Sequence, residues 1–379
     1  MNSGRIRVAV IANGAFSIVN FRGALIAEMV RRGAEVFALA PDYDEELRSR
    51  VRQLGAEPVD IVLDRVGLRP LHDLLNTWKL SRELKRLEPD LTFGYFIKPV
   101  IFGAIAAWLA GVPRRYALIA GLGFVFIDTK RIPSASRRVL QAFTMFLYRV
   151  GLSLCDRVFF QNEDDRAHFV DAGAVRREKT TILAGTGIDV DHFRQHPLPQ
   201  GAPRFLFVGR MLREKGLKEF VEAARIVRQT HPECSFAMAG DVDPNPGSLT
   251  KSEIEAFVEE GNSIWLGNLA DIREELRNST VFVLPSYREG MPRSTQEALA
   301  IGRPIITTDA VGCRQTVIPG INGWLVPVAD AEELAVAMCD AVEHQDRLPE
   351  MGHASRRLAE ERFDVRKINA KMLQMMQIP

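Results

Sequence analysis

The sequence predicts an α/β chain made of two doubly wound, parallel-sheet, Rossmann-like domains in tandem. Three observations carry this. Short β-branched runs bounded by Gly, Pro or Asn alternate with amphipathic stretches, which is the pattern of repeated βαβ units. The alternation falls into two series separated by DVDHFRQHPLPQGAPR at 189–204, a Pro-rich polar segment with no period. The first strand of each series ends in a glycine loop before a helix, NG at 13–14 and GR at 209–210, and such loops line ligand sites at the carboxyl edge of a parallel sheet.

In the first series the strands read IRVAVIA (6–12), EVFALA (35–40), PVDIV (58–62), DLTFGY (90–95), RYALIA (115–120), RVFFQN (157–162) and TTIL (180–183), with helical patterns at 22–32, 71–87, 98–110, 135–153 and 163–172. The second series has strands FLFVG (205–209), CSFAMAG (234–240), SIWLG (263–267), TVFVLP (280–285) and PIITT (304–308), and helices near 216–230, 250–259, 270–278, 293–301, 330–344 and 347–362. An amphipathic helix of about a dozen residues closes the chain beyond Phe363 and is expected to pack back across the interdomain crevice. The domains predicted are therefore 1–195 and 204–362, facing each other across that crevice, with 363–379 as the returning helix.

With 379 residues and 46% hydrophobic content, the chain can bury two full cores, which excludes a small stapled module. Lys and Arg number 49 against 48 Asp and Glu, so no global field marks a nucleic-acid binder. The balance hides an asymmetry. Residues 1–199 hold 28 basic and 22 acidic side chains, leaving 21 and 26 for the remainder, so the halves carry about +6 and −5. The segment from Lys98 to Arg157 has nine basic residues and only Asp128 and Asp156 against them.

Cys155, Cys234, Cys313 and Cys339 show no CxxC spacing and no adjacent histidine, and read as reduced core thiols rather than metal ligands. MNSGRIR runs directly into a buried strand with no A-x-A cleavage site, so a cytoplasmic protein is expected. The longest apolar run, VIFGAIAAWLAGV at 100–112, falls short of a bilayer span. It reads as a buried core helix or as one lying in an interface.

Two motifs carry chemistry. In VGRMLREKG (208–216) a strand ends at Gly209, whose missing side chain lets backbone approach a ligand, and Arg210 and Lys215 follow around the turn into a helix. Two cations beside a helix N-terminus suit a diphosphate, although an ordinary solvated loop fits this fragment equally well. In PSYREGMPRSTQEALAIGRP (285–304), Glu289 lies in a loop and Glu297 on the next helix, with Gly290, Met291 and Pro292 forming the entry turn. Glu289 can face a sugar. Glu297 can accept from two vicinal hydroxyls, and the free N–H groups near Arg293 and Ser294 can cradle phosphate oxygens. The bland alternative makes Glu297 a solvated helix carboxylate and Glu289 a cap.

These residues carry a resemblance. VGRMLREKG, the spacing of Glu289 and Glu297, WLGNLADIREEL and AIGRPIITTDAVGCRQTVIPGINGWLVPVAD resemble retaining, nucleotide-sugar-dependent glycosyltransferases of the GT-B fold, the family 4 type. SIVNFRGALI (17–26), YFIKPVIFGAIAAWLAGV (95–112) and GLGFVF (121–126) are similar to the subgroup that adds a hexose or N-acetylhexosamine to undecaprenyl-diphosphate-linked sugars in bacterial surface polysaccharide or glycan assembly, such as the N-acetylgalactosaminyltransferases.

The resemblance implies roles. Arg210 and Lys215 neutralise the departing diphosphate of a uridine diphosphate sugar, Glu289 contacts the transferred sugar, Glu297 holds the ribose hydroxyls and backbone around Leu269 meets the base. Neither a metal nor a cofactor is expected, because fixed cations already stabilise the leaving group, each worth ~3–4 kcal/mol by analogy with single oxyanion donors. Retention is open to a carboxylate nucleophile or to a same-face substitution in which the leaving phosphate helps deprotonate the acceptor; the second is favoured, because the resemblance sets Glu289 beside the sugar rather than beneath its anomeric carbon. The seven histidines lie outside the expected crevice loops, which leaves no side-chain base for the acceptor.

On the acceptor side, Gly14, Lys98, Gly121 and Gly123 are read as the phosphate and sugar loop. GLGFVF is not a dinucleotide fingerprint, because Phe126 stands where the third glycine belongs. An anionic membrane surface is the expected partner of the basic stretch: Arg131, Arg137, Arg138 and Arg149 bracket the apolar LQAFTMFLY (140–148), which reads as a peripheral anchor or as a charged helix over its own core. A nucleotide-sugar epimerase of the same architecture is the alternative activity.

Overall fold

The structure, a computed structural model, describes residues 5–64, 70–122, 135–243, 247–261 and 263–379. The chain divides into two compact units, residues 1–186 with 366–379, and residues 187–365. The first unit runs β1 (Arg7–Ile11), α1 (Ala15–Arg31), β2 (Glu35–Ala40), α2 (Glu45–Gln53), β3 (Glu57–Asp60), α3 (Pro70–Leu87), β4 (Leu91–Tyr95), a π-helical turn at Pro99–Gly103, α4 (Ala104–Leu109), β5 (Arg114–Ile119), α5 (Ala135–Ser153), β6 (Arg157–Phe160), α6 (Glu163–Asp171) and β7 (Thr180–Ile182). The second comprises β8 (Arg204–Val208), α7 (Leu217–Thr230), β9 (Ser235–Ala239), α8 (Lys251–Gly261), β10 (Ile264–Trp265), α9 (Arg273–Arg277), β11 (Val281–Leu284), α10 (Arg293–Ile301), β12 (Ile305–Thr308), β13 (Gly323–Val326), α11 (Ala331–Glu343) and α12 (Leu348–Leu358); α13 (Val365–Met375) then returns to the first unit.

Every strand pair is parallel. The sheets run β3-β2-β1-β4-β5-β6-β7 and β10-β9-β8-β11-β12-β13. Strands covered by helices on both faces need apolar side chains on both, which is why these segments read as continuous hydrophobic runs rather than alternating ones. In the register of β1, Ala9 stands between Phe37 of β2 and Thr92 of β4. In each sheet the order reverses beside the first strand, between β1 and β4 and between β8 and β11, and this is where a doubly wound sheet opens a binding crevice at its carboxyl edge.

Three elements differ from the reading of the sequence. Helix α1 starts at Ala15, not near 22, because Asp42 at the end of β2 caps it, accepting from the Ala15 N–H at 2.8 Å. That capping residue lies 27 positions away in the chain. Helix α2 was not predicted: EELRSRVRQ is almost wholly polar and only Val51 is buried, yet Asp44 caps it by accepting from the Leu47 N–H at 2.7 Å. Strand β13 was not predicted either; four residues between a turn and a helix show no period, and pairing with β12 defines it.

The first unit's core has helices on both faces of its sheet. On one face Ile18, Leu25, Ile26 and Met29 of α1 pack with Val8 and Val10 of β1, and α13 adds Ile368, Met372 and Leu373, followed by Met376 and Ile378. On the other, Leu80 and Leu84 of α3 join Ala106 and Ala107 of α4, while Tyr148 and Leu152 of α5 cover Val100 and Ile101. In the second unit two arginines fasten the connecting segment. Arg303, fully buried, donates to the carbonyls of Ser279 (2.9 Å), Pro197 (3.1 Å), Ile301 (3.3 Å), Arg277 (3.4 Å) and His196. Arg356 donates to those of Val190, Phe193 and Ala300 at 2.7–3.0 Å.

Candidate active site

The order reversal between β8 and β11 brings the two motifs of the second unit together. The loop leaving β8 carries Gly209 and Arg210 and tightens into a 3₁₀ turn, Arg213–Lys215. Gly216 follows at φ +74°, where a Cβ would collide with the Pro285 carbonyl, so only glycine serves both the turn and the close approach. The loop leaving β11 docks on this turn: Tyr287 N–H and Ser286 Oγ both donate to the Glu214 carbonyl, at 2.8 and 3.2 Å. Gly312, at φ +82°, lets its own turn press against the Glu289 backbone, whose N–H bonds Val311 O at 2.9 Å.

Lys215 and Glu289, 74 residues apart, meet in consequence: the ammonium donates to Glu289 Oε1, and both side chains are largely buried. A neighbouring brace ties the same loops, with Tyr287 Oη donating to Glu219 Oε1 of α7 at 2.6 Å. Burial, then Glu219 itself, pushes the Tyr287 phenol well above its ordinary range. Arg210 is more open and donates to Asp243 Oδ2 at 3.1 Å. At Gly209 the close approach comes from Gly240, where a Cβ would strike the Gly209 carbonyl.

Helix α10 begins at Arg293 after Pro292, which offers no capping side chain, and no acid occupies its first turn. Gly290 and Met291 are buried in the entry turn, and Ser294 is half-buried on the helix. Glu297, one turn on, accepts from Arg293 Nε at 3.0 Å. Burial pushes its carboxyl above the usual carboxylate range, Arg293 pulls it back, and Asp271 adds a further push upward. Leu269 is half-buried in the loop after β10. The arrangement offers cations, a helix N-terminus and two shielded carboxylates at one sheet edge, a combination suited to a diphosphate flanked by polyhydroxyl groups.

In the first unit the readings fare differently. Gly14 is the N-cap of α1 with an extended backbone (φ −176°), and a Cβ there would meet Asp42 only at ordinary contact distance, 3.6 Å, so the fold places no demand for glycine. Lys98 does not present an open charge to a phosphate. It is buried and donates to the buried Asp73 Oδ1 at 2.7 Å, because burial without a partner would strand its ammonium. Gly121 has φ +113°, a conformation that favours glycine. Gly123 and Arg131, and the Arg137 side chain, lie outside the described residues. Among the described residues no group of three or more His, Cys, Asp or Glu stands close enough to hold a metal ion, and no helix is long and apolar enough to cross a membrane.

Tyr287, Glu219, Asp243 and Gly312 were not singled out from the sequence. The brace joins residues 68 apart with no local spacing to betray it. Gly216, by contrast, left a signal as the glycine that closes the first motif, and Gly312 lies in the 300–330 segment quoted for the resemblance.

Known proteins resemble the chain along most of its length. Residues 190–358 match the family of glycosyl transferases group 1, and residues 18–186 match a glycosyl transferase 4-like domain. The chain belongs to the glycosyltransferases. Among individual relatives it is 29% identical, over 87% of its length and 88% of theirs, to the N,N'-diacetylbacillosaminyl-diphospho-undecaprenol alpha-1,3-N-acetylgalactosaminyltransferase of Campylobacter jejuni. It is 26% identical, over 72% and 70%, to the UDP-Gal:alpha-D-GlcNAc-diphosphoundecaprenol alpha-1,3-galactosyltransferase of Escherichia coli. The crystal structure of Anabaena Alr3699/HepE in complex with UDP superposes with a TM-score of 0.75 at 17% identity, covering 98% of this chain and all of that one, which establishes a common GT-B fold.

Proposed function

We propose that the protein transfers a hexose or N-acetylhexosamine from a uridine diphosphate sugar to an undecaprenyl-diphosphate-linked sugar, with retention of configuration and without a metal, in bacterial surface polysaccharide or glycan assembly. The observation that carries this reading is the Lys215–Glu289 contact at the order reversal of the second sheet. It sets a cation for the leaving diphosphate beside a carboxylate for the sugar, with Glu297 on the following helix for the ribose. The two relatives named above act on acceptors of this class.

In this mechanism Arg210 and Lys215 receive the charge that develops on the β-phosphate as the anomeric bond breaks, and the N-terminus of α10 solvates its oxygens. Glu289 orients the sugar. The leaving phosphate takes the acceptor hydroxyl's proton on the same face, so no separate side-chain base is required. The enzyme works at the cytoplasmic face of the membrane, docked reversibly through α5, where Val139, Leu140, Phe143 and Phe146 are exposed among basic residues.

Turnover of a panel of uridine, guanosine and deoxythymidine diphosphate sugars with a short-chain polyprenyl-diphosphate acceptor tests the reading. Transfer from a uridine donor that persists in chelator, with the product's anomeric configuration unchanged by NMR, supports it. Isomerised donor without transfer would instead indicate an epimerase.

A further inference from the structure

Helix α3 is amphipathic the wrong way round along its N-terminal half. Leu71, Leu74, Leu75 and Trp78, at i, i+3, i+4 and i+7, form one face, which helical periodicity would assign to the core. Yet they are 81, 64, 50 and 52% exposed. The face turned inward is polar: Asp73, Asn76, Thr77 and Ser81 are buried, and Asp73 holds the Lys98 ammonium. Further along the same helix the usual sense returns, with Leu80, Leu84 and Leu87 in the core.

The surroundings say what meets the outer face. Helices α3 and α5 flank α4 and its π-helical turn, each packing on that central element. Helix α5 exposes Val139, Leu140, Phe143, Phe146 and Val150. The charges exposed on the two helices are nearly all basic: Lys79, Arg82, Lys85, Arg138 and Arg149, with Glu83 paired to Arg86 at 2.6 Å. Residues 135–153 contain no acid at all. Arg82 lies 5.0 Å over the Trp78 ring, which places a cation where a lipid headgroup meets an aromatic belt. Apolar side chains at helical spacing, an interfacial tryptophan and an almost acid-free rim match an anionic bilayer surface in both polarity and charge.

We infer that the N-terminal half of α3 inserts its Leu71–Leu74–Leu75–Trp78 face into the acyl boundary of an anionic membrane, making a second foothold beside α5. The inference rests on the membrane docking proposed above and extends it to a helix whose exposed face the sequence pattern assigns to the core. The inverted polarity follows: the inner face is free to be polar because the outer one supplies the hydrophobic burial once docked.

The test uses the full-length protein with Trp108→Phe, and vesicles of phosphatidylglycerol mixed with phosphatidylcholine brominated along its acyl chains. Tryptophan emission should be quenched on binding, and the quenching should vanish when Trp78→Phe is added. Leu74→Glu should weaken the apparent vesicle affinity by about tenfold or more, since one leucine's transfer is worth at least that factor, while leaving turnover of a short-chain acceptor in detergent unchanged. Vesicle binding with no Trp78 quenching would overturn this inference and leave docking through α5 standing. Absence of any binding would remove both, while the transferase reading is judged separately by turnover. Concentration-dependent dimerisation abolished by Leu74→Glu would assign the face to a second copy of the chain and likewise overturn it.

Discussion

Lys215 and Glu289 each compensate the other's charge within a largely buried contact, so removing one leaves an unpaired buried ion. Lys215→Ala and Arg210→Ala should each depress kcat by about two to three decades, as for a lost oxyanion donor, and Lys215→Ala should in addition destabilise the loop. A double-mutant cycle of Lys215→Met and Glu289→Gln separates the two effects: strong non-additivity in thermal stability reports the pair, while loss of kcat in every Lys215 variant reports the leaving-group role. Glu297 makes a different prediction. Its carboxyl is raised by burial and restrained by Arg293, and only the ionised form accepts from both ribose hydroxyls. Donor affinity measured by calorimetry should therefore fall as pH is lowered, and Arg293→Met should move that midpoint upward, because a lost positive neighbour disfavours the carboxylate. Glu297→Ala should weaken donor binding by about tenfold or more, with a smaller effect on kcat.

At the scale of elements, the segment at 189–204, read from the sequence as the linker, lies within the second unit. Its polar, Pro-rich sequence gives no hint of this, because the groups that hold it are backbone carbonyls, and every residue has one. Arg303 supplies the donors, and burial pulls its pKa down to about 10, the cost of a guanidinium with carbonyl partners but no carboxylate. Arg303→Met should destabilise the second unit by at least ~3 kcal/mol, since it strands several buried carbonyls at ~1–3 kcal/mol each; urea unfolding measures it. The start of α1 was hidden for a similar reason, its cap coming from Asp42 in another element, while α5 and α10 stand where their own periodicity placed them.

For the whole molecule, helix α13 is contiguous in sequence with the second unit and packs into the first. Deleting residues 366–379 should leave the second unit's fold intact while exposing the first unit's core beneath Ile368, Met372 and Leu373. Loss of soluble expression, with rescue by co-expressing the missing peptide, is the expected outcome. The buried thiols give a global signature as well. Burial pushes Cys155 and Cys313 up to about 12 from 9.0. The unfolded chain then releases protons above pH 9 that the folded one retains, so stability must fall as pH rises from 9 toward 12. The loss is about 1.4 kcal/mol per thiol at pH 10, and Cys155→Ala should flatten the measured slope.

The sequence by itself determined the class of fold and most of its strands, because parallel strands buried on both faces must be apolar throughout, and that requirement is local. It also singled out the two segments on which the proposed transfer chemistry rests, since glycines and paired charges are held at fixed spacings on either side of a strand end. Only the tertiary structure decided what those charges face: Lys215 against Glu289, Lys98 withdrawn onto Asp73, and a leucine and tryptophan face of α3 turned outward. Periodicity reports that a helix has two faces. Which face meets the core is settled by what the neighbouring elements bring to it, and here they bring a buried lysine.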